Sequence, residues 1–535
     1  MGGRSFKLPH AFFTLLVLVH SMRLALGGFI PGVGDANNIS CPEGERQALL
    51  EFKKGISDPY GWLSFWGSEE EKKNCCNWPG IRCSNQTGRV IQLQLGFDYL
   101  GGMISPSLLE LPYLTYLDLS NNDFNHSYIP EFIGSLSNLE HLDLSSSNLS
   151  GPIPYQLGNL SRLQYLDLSS SNLSGPIPHQ LGNLSRLQYL HLGDNNLTES
   201  ENLEWLSHMS SIEYLYLSFT NLSVANDWLE VVSSLPNLKN LDMSACNLRL
   251  SSFSQFNHSK SFTSLESLQL RDNEINDIPK FSGDICTLCE LGLSGNNLNG
   301  QLIEHINDLS GCAKDSLEVL ELARNQLWGS LPDFALFPSL KGIYLSSNKL
   351  NGTMPKTIGN LHNLEHLDVS LNYLQDVISE AHFSNLSRLL SLDLSGNSLT
   401  LEFDFNWVPP FQLDKLYLRS CKLGPRFPNW IRTQRNVTIL DISNAQISDT
   451  VPAEWFANLP PKLVSLNISS NQIHGQLPNV STMSLSELRF DLSANRLEGP
   501  LPLFSTDVSS LNLSKNRFRG HFHLFVKSMM GIWVF

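Results

Sequence analysis

The chain has 535 residues, with 51 acidic against 36 basic side chains and a formal net charge of −15 at pH 7. This charge makes nucleic acids and anionic membrane surfaces unfavourable partners. Hydrophobic residues make up 41% of the chain and charged residues only 16%, which allows a large core and is typical of a glycosylated extracellular protein.

The N-terminus has the features of a secretory signal peptide. Arg4 and Lys7 precede the apolar run Ala11–Val19, and small residues follow at Ala25 and Gly27. We predict a signal peptide over residues 1–27, with cleavage as late as about residue 36. The alternative, an N-terminal membrane anchor, is disfavoured because charged and polar residues soon interrupt the run.

N-x-S/T sequons are dense, and in a secreted chain they predict N-glycosylation. The candidate sites are Asn38, Asn85, Asn125, Asn148, Asn159, Asn172, Asn183, Asn196, Asn221, Asn257, Asn351, Asn385, Asn436, Asn467, Asn479 and Asn512.

Residues 38–88 form a distinct N-terminal segment, which we interpret as a cap. Its apolar residues between Glu43 and Ile56 fall on one face of a predicted helix. Its four cysteines, Cys41, Cys75, Cys76 and Cys83, predict disulfides in a secreted chain. Zinc is the alternative, but adjacent Cys75 and Cys76 suit tetrahedral ligation poorly.

A repeat governs the rest of the chain. Leu142, Leu166 and Leu190 hold equivalent places 24 residues apart, within the pattern L-x-x-L-x-L-x-x-N/C-x-L. This period and pattern are those of a leucine-rich repeat, whose units must stack to bury their leucines. We therefore predict an α/β solenoid over residues 89–520, with about eighteen coils, a parallel concave β-sheet and the cap at one end.

A recurrent asparagine follows each strand, where its amide can satisfy backbone groups that turn inside the coil. These positions are Asn122, Asn195, Asn273, Asn296, Asn325, Asn348, Asn372, Asn397, Asn471, Asn495 and Asn516. The equivalent place is taken by Ser147, Ser171, Thr220, Cys246, Cys421 and, without any polar group, Ala445.

Many coils continue with G-x-I/L-P, as in Gly151–Pro154 and Gly175–Pro178. The glycine permits a tight bend and the proline fixes the next turn. The coils after Leu215 and Leu241 lose this motif, and a helical turn is predicted at Asp227–Val232.

Residues between the strand leucines should face the concave side, where aromatic and acidic residues predict a recognition surface. These residues are Tyr116, Asp118, His141, Asp143, Tyr165, Asp167, Tyr189, His191, Tyr214 and Tyr216. The stripe continues less densely through Gln269, Arg271, Tyr344, His366, Tyr417 and Arg419. The alternative, equally weighted, is that the rings only shield the sheet backbone.

No catalytic set or cofactor motif emerges, so we expect neither an enzyme nor a cofactor or metal site. The repeated Asp118, Asp143 and Asp167 are explained by the L-D-L-S consensus better than by glycosidase chemistry. A Cys286–Cys312 disulfide is predicted, with Cys289 as a free thiol or the alternative partner.

Two stretches resemble known plant proteins. CPEGERQALLEFKKGISDPYGWLSFW, followed by CCNWPGIRCSNQTGRVIQLQL, resembles the N-terminal cap of plant leucine-rich-repeat receptors. That resemblance implies the pairs Cys41–Cys75 and Cys76–Cys83, and the S-G-x-I-P form implies a right-handed superhelix with an extra short strand in each coil.

The irregular coils resemble one subgroup. NDWLEVVSSLPNLKNLDMSACNL, WVPPFQLDKLYLRSCKLGPRFPNWIRTQ and LDISNAQISDTVPAEWF are similar to plant receptor-like proteins related to the receptors for fungal ethylene-inducing xylanase. The resemblance extends from Cys41 to about Gly520.

This resemblance implies an extracellular receptor-like protein of plant innate immunity. It would bind a microbial protein or peptide on the concave surface and signal through a partner receptor kinase at the plasma membrane. The alternatives are a secreted inhibitor of microbial cell-wall hydrolases, or a soluble decoy fragment of a receptor.

The segment 521–535 has no repeat spacing and is too short to span a bilayer. The relatives continue with further coils and a membrane anchor, so we expect a truncated product, extracellular if it is the true one. Apart from the signal peptide, no membrane span is expected in this chain.

Overall fold

The structure is a computed structural model. It describes residues 40–67, 69, 72–97, 99–198, 202–249, 262–278, 285–309, 311, 313–479, 488–502 and 508–519. The predicted signal peptide, sequons Asn38 and Asn257, Cys312 and the segment 521–535 lie outside these residues.

The described chain is a leucine-rich-repeat solenoid with eighteen parallel strands in its concave sheet. Each strand pairs with the strands of the preceding and following coils, and Leu142 lies in register with Leu117 and Leu166. The strands are Val90–Gln94, Tyr116–Asp118, His141–Asp143, Tyr165–Asp167, Tyr189–His191, Tyr214–Tyr216, Asn240–Asp242, Ser267–Gln269, Glu290–Gly292, Val319–Glu321, Gly342–Tyr344, His366–Asp368, Ser391–Asp393, Lys415–Tyr417, Ile439–Asp441, Ser465–Asn467, Leu488–Asp491 and Val508–Asn512.

The consensus leucines form one continuous core. In a single coil, Leu139, Leu142 and Leu144 are each at most 1% exposed. The apolar cluster runs without a break from Cys41 in the cap to Leu511 in the last described strand. Because each coil buries its leucines only against its neighbours, the stability of the array depends on stacking.

A second set of short parallel strands lies beside the first. Its members are Ser150–Gly151, Asn172–Pro176 and Asn196–Thr198; then Asn299–Gln301, Gln326–Gly329, Lys349–Gly352, Tyr373–Ile378 and Ser398–Leu401; then His474–Gly475, Arg496–Gly499 and Arg517–Phe518. Gly175, at φ +85°, supplies a left-handed conformation that other residues rarely adopt. Among the described residues the set is interrupted between Thr198 and Asn299 and again between Leu401 and His474. The first gap includes the coils after Leu215 and Leu241, which lack the G-x-I/L-P motif.

Helices are short outside the cap. The α-helices are Glu43–Gly55, Trp228–Ser233, Leu302–Leu309, Ala313–Ser316 and Ala453–Ala457. Single 3₁₀ turns occupy Trp62–Phe65, Cys75–Asn77, Pro106–Glu110, Glu131–Ser135, Tyr155–Asn159, His179–Asn183, Glu204–His208, Phe334–Leu336, Lys356–Asn360, Glu380–His382 and Asn429–Thr433. Among the described helices, none is long and apolar enough to cross a membrane.

The cap closes the open end of the first coil. An antiparallel strand, Ile81–Cys83, pairs with Val90–Gln94. Disulfides join Cys41 to Cys75 and Cys76 to Cys83, which is the pairing that the resemblance implies and which leaves no thiolate for zinc. The buried carboxylate of Glu45 accepts a 2.7 Å hydrogen bond from the Val90 amide, linking the cap helix to the first strand.

The asparagine ladder is present in every coil where the sequence places it. Asn348 is representative: its Oδ1 accepts from the Leu327 amide at 3.0 Å, and its Nδ2 donates to the carbonyls of Leu322 and Leu345. The other ten asparagines also donate to carbonyls of their own and the preceding coil. The amides therefore link adjacent coils through otherwise unpaired backbone groups.

The substitutes preserve part of this ladder. The Ser147 hydroxyl and the Cys246 and Cys421 thiols donate to the preceding coil. Cys246 and Cys421 are free and buried, so their role is structural. Cys289 is a free thiol, whereas Cys286 is disulfide-bonded, so Cys289 is not its partner.

Candidate recognition surface on the concave sheet

Four aromatic rings from consecutive strands form a stack on the concave face. The ring centroids of Tyr116 and His141 are 3.9 Å apart, those of His141 and Tyr165 are 4.1 Å apart, and those of Tyr165 and Tyr189 are 4.3 Å apart. The planes differ by at most 13°. The stack forms because the four residues hold the same register position on parallel strands, whose spacing is about 4.8 Å. We call these four residues the ring ladder.

The ring ladder continues into a less regular aromatic group. Tyr216 lies 5.5 Å from Tyr189 and 5.2 Å from His191, centroid to centroid, with tilted planes. Tyr214 lies 6.2 Å from Tyr189. All of these side chains are half-buried, so the solenoid presents seven adjacent aromatic rings, counting imidazoles, on one rigid surface.

The acidic residues beside the rings have a structural function as well. In Asp118, Asp143 and Asp167, Oδ1 accepts hydrogen bonds from both the amide and the hydroxyl of the serine two residues later. The same bond to the serine amide recurs at Asp368 and Asp491, far from the ring ladder. Where the L-D-L-S consensus occurs, one carboxylate oxygen therefore caps the end of the strand.

The three carboxylates differ in electrostatic state. Asp167 is 6% exposed. Although burial raises its pKa, the hydrogen bond and charge of His191 outweigh this effect and bring the pKa below its usual value. Asp143 has no such cation: burial and the charges of Asp167 and Asp118 raise its pKa to about 7. The middle carboxylate therefore gains a proton near neutral pH.

The rings themselves are neutral donors and acceptors over the same pH range. Burial lowers the pKa of His141 to about 4, so its imidazole is uncharged near neutrality. Burial, together with the Asp118 charge, raises the pKa of Tyr116 to about 12, so its phenol stays protonated. The ring ladder thus offers hydroxyls and imidazole nitrogens, and its negative charge comes from the aspartates.

An ion pair that the sequence analysis did not predict follows the aromatic residues. Gly292 leaves a gap in its strand, and Arg271 reaches across that strand to Glu321, with Nε and Oε2 2.5 Å apart. Gln269 is 2% exposed beneath this bridge and donates to Ser267. Glu290 and Glu321 occupy the same outward positions as the aromatic residues, so the strand alternation could have identified them.

Beyond this bridge the stripe becomes sparse. The rings of Tyr344 and His366 stack at 6.2 Å, and Tyr417 follows two strands later. The outward residues of the last four described strands include no aromatic residue. The concave face is therefore aromatic at its N-terminal half and polar at its C-terminal end.

The described residues hold a single cluster of three or more potential metal ligands, made of Cys41, Cys75 and Cys76. All three sulfurs belong to disulfides, so this cluster is part of the cap and does not form a metal centre.

The fold and the cap define the class of protein. A family model described as a leucine-rich repeat region matches residues 73–351 and 218–495, and one described as a leucine rich repeat N-terminal domain matches residues 42–84. The chain therefore belongs to the leucine-rich-repeat family, with the N-terminal cap of that family.

Within this family the chain is close to two tomato proteins. It is 36% identical over 94% of its length to receptor-like protein EIX1 of Solanum lycopersicum, and 38% identical over 93% of its length to receptor-like protein EIX2 of the same species. It spans 58% and 59% of the length of these two relatives. The resemblance seen in the irregular coils is thereby confirmed.

A solved structure supports the same architecture. The leucine-rich-repeat ectodomain of the Arabidopsis receptor kinase HAESA, in complex with an extended IDA peptide hormone, superposes with a TM-score of 0.63 at 25% identity. The match covers 92% of this chain and 88% of that one.

Proposed function

We propose that the chain is a receptor-like recognition module of plant innate immunity, which binds a microbial protein or peptide on the N-terminal half of its concave sheet. In the full receptor it would signal through a partner kinase at the extracellular face of the plasma membrane. The partner kinase and the immune role rest on the similarity to plant receptor-like proteins.

One observation carries the binding proposal: seven adjacent rings, flanked by carboxylates, on a rigid sheet. Aromatic side chains with adjacent polar groups supply contact area and hydrogen bonds at low entropic cost. Shielding of the backbone alone accounts poorly for this arrangement, because outward rings are dense in one part of the described arc and sparse beyond it, although every strand of the sheet has backbone to shield.

The stack also favours a peptide or protein over a carbohydrate. In the ring ladder, the faces of His141 and Tyr165 are covered by neighbouring rings at about 4 Å. A ligand therefore meets ring edges, hydroxyls and the outer oxygens of the aspartates. These groups suit backbone amides and cationic side chains, and the faces of His141 and Tyr165 are not available for stacking on a sugar.

The test is a capture experiment with the glycosylated, secreted chain. The immobilised chain is exposed to fractionated fungal culture medium, retained components are identified by mass spectrometry, and each is then purified and titrated. A retained protein or peptide should bind in solution, and its affinity should fall when ring-ladder residues are replaced.

Two results would refute the proposal. One is a ligand whose affinity does not respond to ring-ladder substitutions. The other is a retained hydrolase that loses its activity on binding, which would identify the chain as an inhibitor of cell-wall hydrolases.

A further inference from the structure

Two sequons occupy an unusual place on the solenoid. Asn467 is the last residue of the concave strand Ser465–Asn467, and Asn512 is the last residue of Val508–Asn512. The other sequons among the described residues lie outside the concave sheet, for example Asn159 at the end of a 3₁₀ turn and Asn172 in the second set of strands.

These two asparagines replace the consensus aspartate. Oδ1 of Asn467 accepts from the Ser469 amide at 3.0 Å, and Oδ1 of Asn512 accepts from the Ser514 amide at 3.2 Å. This is the same cap that Asp143 and Asp167 make. Because the consensus reads D-x-S, one change from aspartate to asparagine turns the structural cap into a sequon without altering the turn.

The chain makes this change at one end of the concave face only. Beside the rings, the motif is retained as aspartate in Asp118-Leu119-Ser120, Asp143-Leu144-Ser145 and Asp167-Leu168-Ser169. From Tyr116 to Tyr417, none of the described concave strands places asparagine at this position. The sequons begin after Tyr417, where the outward aromatic residues end.

The side-chain geometry leaves room for a modified amide. Nδ2 of Asn467 donates to Oδ2 of Asp441 at 3.2 Å, and Nδ2 of Asn512 donates to Oδ2 of Asp491 at 3.2 Å. A primary amide has two N–H bonds, so the second remains for substitution while the first keeps its carboxylate partner. Both side chains line an open depression on the concave face, together with Arg489.

We propose that Asn467 and Asn512 carry N-linked glycans that cover the C-terminal strands of the concave face, so that ligand contact is confined to the strands from Tyr116 to Tyr417. In the transfer, one Nδ2–H bond is replaced by a bond from Nδ2 to the anomeric carbon of N-acetylglucosamine. The donor is a lipid-linked diphosphate oligosaccharide, whose lipid diphosphate leaves, and the displaced proton is released; nothing is oxidised or reduced. The confinement of the ligand rests on the proposed function, whereas the glycans and their coverage do not.

The first measurement is site occupancy. The full chain is secreted from plant cells and digested, and its peptides are analysed by mass spectrometry before and after enzymatic deglycosylation in heavy-oxygen water. Most molecules should be glycosylated at both Asn467 and Asn512, with the exposed Asn159 as a reference site. An unmodified asparagine at either position in the folded, secreted chain overturns the proposal.

The second measurement asks whether the glycans cover the face. Arg489 is exposed between the two sequon-bearing strands. We expect phenylglyoxal to modify Arg489 several-fold more slowly in the wild type than in the double variant Asn467→Asp/Asn512→Asp, while exposed Arg435 on another face reacts equally in both. The variant should fold, because aspartate is the consensus cap. Equal rates at Arg489 in the two proteins would overturn the coverage.

Neither measurement uses the ligand. If the glycan proposal is wrong, Asn467 or Asn512 will be unmodified, or Arg489 will react with phenylglyoxal at the same rate in the wild type and the double variant. Failure of the proposed function would appear separately, as ligand binding that ignores the ring ladder.

Discussion

Nδ1 of His191 lies 3.3 Å from Oδ2 of Asp167, on the adjacent strand of the concave sheet. Both side chains are largely shielded from water. Burial lowers the pKa of His191, but the hydrogen bond and charge of Asp167 outweigh burial and raise it above its usual value. The pair therefore links two neighbouring strands of the concave sheet, and the strength of this link depends on pH.

The pair predicts a pH-selective effect of His191→Gln. A histidine whose pKa is raised in the folded state stabilises the fold. This stabilisation is complete below the usual histidine pKa of about 6.5 and is lost as the pH rises through the raised pKa. Asp167, whose pKa is lowered in the folded state, stabilises the fold above about pH 4, and this stabilisation is lost on further acidification. His191→Gln should therefore cost about 1 kcal/mol at pH 5.5 and much less at pH 8.5, as measured by urea unfolding.

His366→Gln is the matched control for this prediction. Burial lowers the pKa of His366, which is the opposite of the shift at His191, so its replacement should show no larger loss at pH 5.5 than at pH 8.5. If His191→Gln costs the same at the two pH values, the ionised pair does not exist.

The carboxylate of Asp143, like the His191–Asp167 pair, makes the fold less stable as pH rises, but here the cause is a penalty on its ionised form. Because its pKa is raised to about 7, the ionised form is disfavoured in the folded state. Its penalty begins above the usual carboxyl pKa and is complete above the raised one. Between pH 5 and pH 8, ionisation of Asp143 should lower the free energy of unfolding of the wild type by on the order of 2 kcal/mol. The variant Asp143→Asn/Ser145→Ala should not show this loss. Its serine change prevents a new sequon.

The single variant Ser145→Ala separates the loss of the hydroxyl from the loss of the charge. Unfolding free energies at the two pH values decide the question: if the double variant and Ser145→Ala show the same pH dependence, Asp143 carries no such penalty.

The ladder asparagine predicts a large effect at a buried position. Asn348 is 7% exposed, and Asn348→Ala leaves the buried Leu327 amide unpaired and removes one of the two asparagine donors from the carbonyls of Leu322 and Leu345. The free energy of unfolding should fall by about 1–3 kcal/mol, the cost of unsatisfied buried polar groups. Exposed Asn360, replaced by alanine, should show a change of less than about 0.5 kcal/mol.

The converse substitution tests the same idea. At Ala445 the ladder position has no polar side chain, so Ala445→Asn should be neutral or stabilising in the same unfolding experiment. A strongly destabilised variant would contradict the role assigned to the amides.

Much of the fold follows from the sequence because the period fixes register. Leu142, Leu166 and Leu190 must occupy equivalent places if each coil repeats, and strand alternation then determines which side chains face outward. The asparagine ladder and the helical turn near Trp228 follow from local motifs in the same manner.

The details of the candidate site depend on distances that a sequence does not contain. Tyr116 and Asp118 are identified as outward residues, but the stacking of the rings depends on side-chain rotamers. The Arg271–Glu321 bridge crosses an intervening strand at Gly292, where a side chain would crowd Gln269 and Arg271. Turn geometry likewise determines that Ser120 donates its hydrogen bonds to Oδ1 of Asp118. The other carboxylate oxygen is left for a ligand.

The central claim is that the ring ladder contacts the ligand, and two tyrosines 10 residues apart test it. Tyr165 lies in the ring ladder, whereas Tyr155 is 58% exposed on a 3₁₀ turn outside the concave sheet. In titration calorimetry with the purified ligand from the capture experiment, Tyr165→Ala should weaken binding at least about tenfold, the range of an interface hot spot, and Tyr155→Ala should leave the affinity unchanged. Equal affinities for the wild type and Tyr165→Ala, with both proteins folded, would contradict the account.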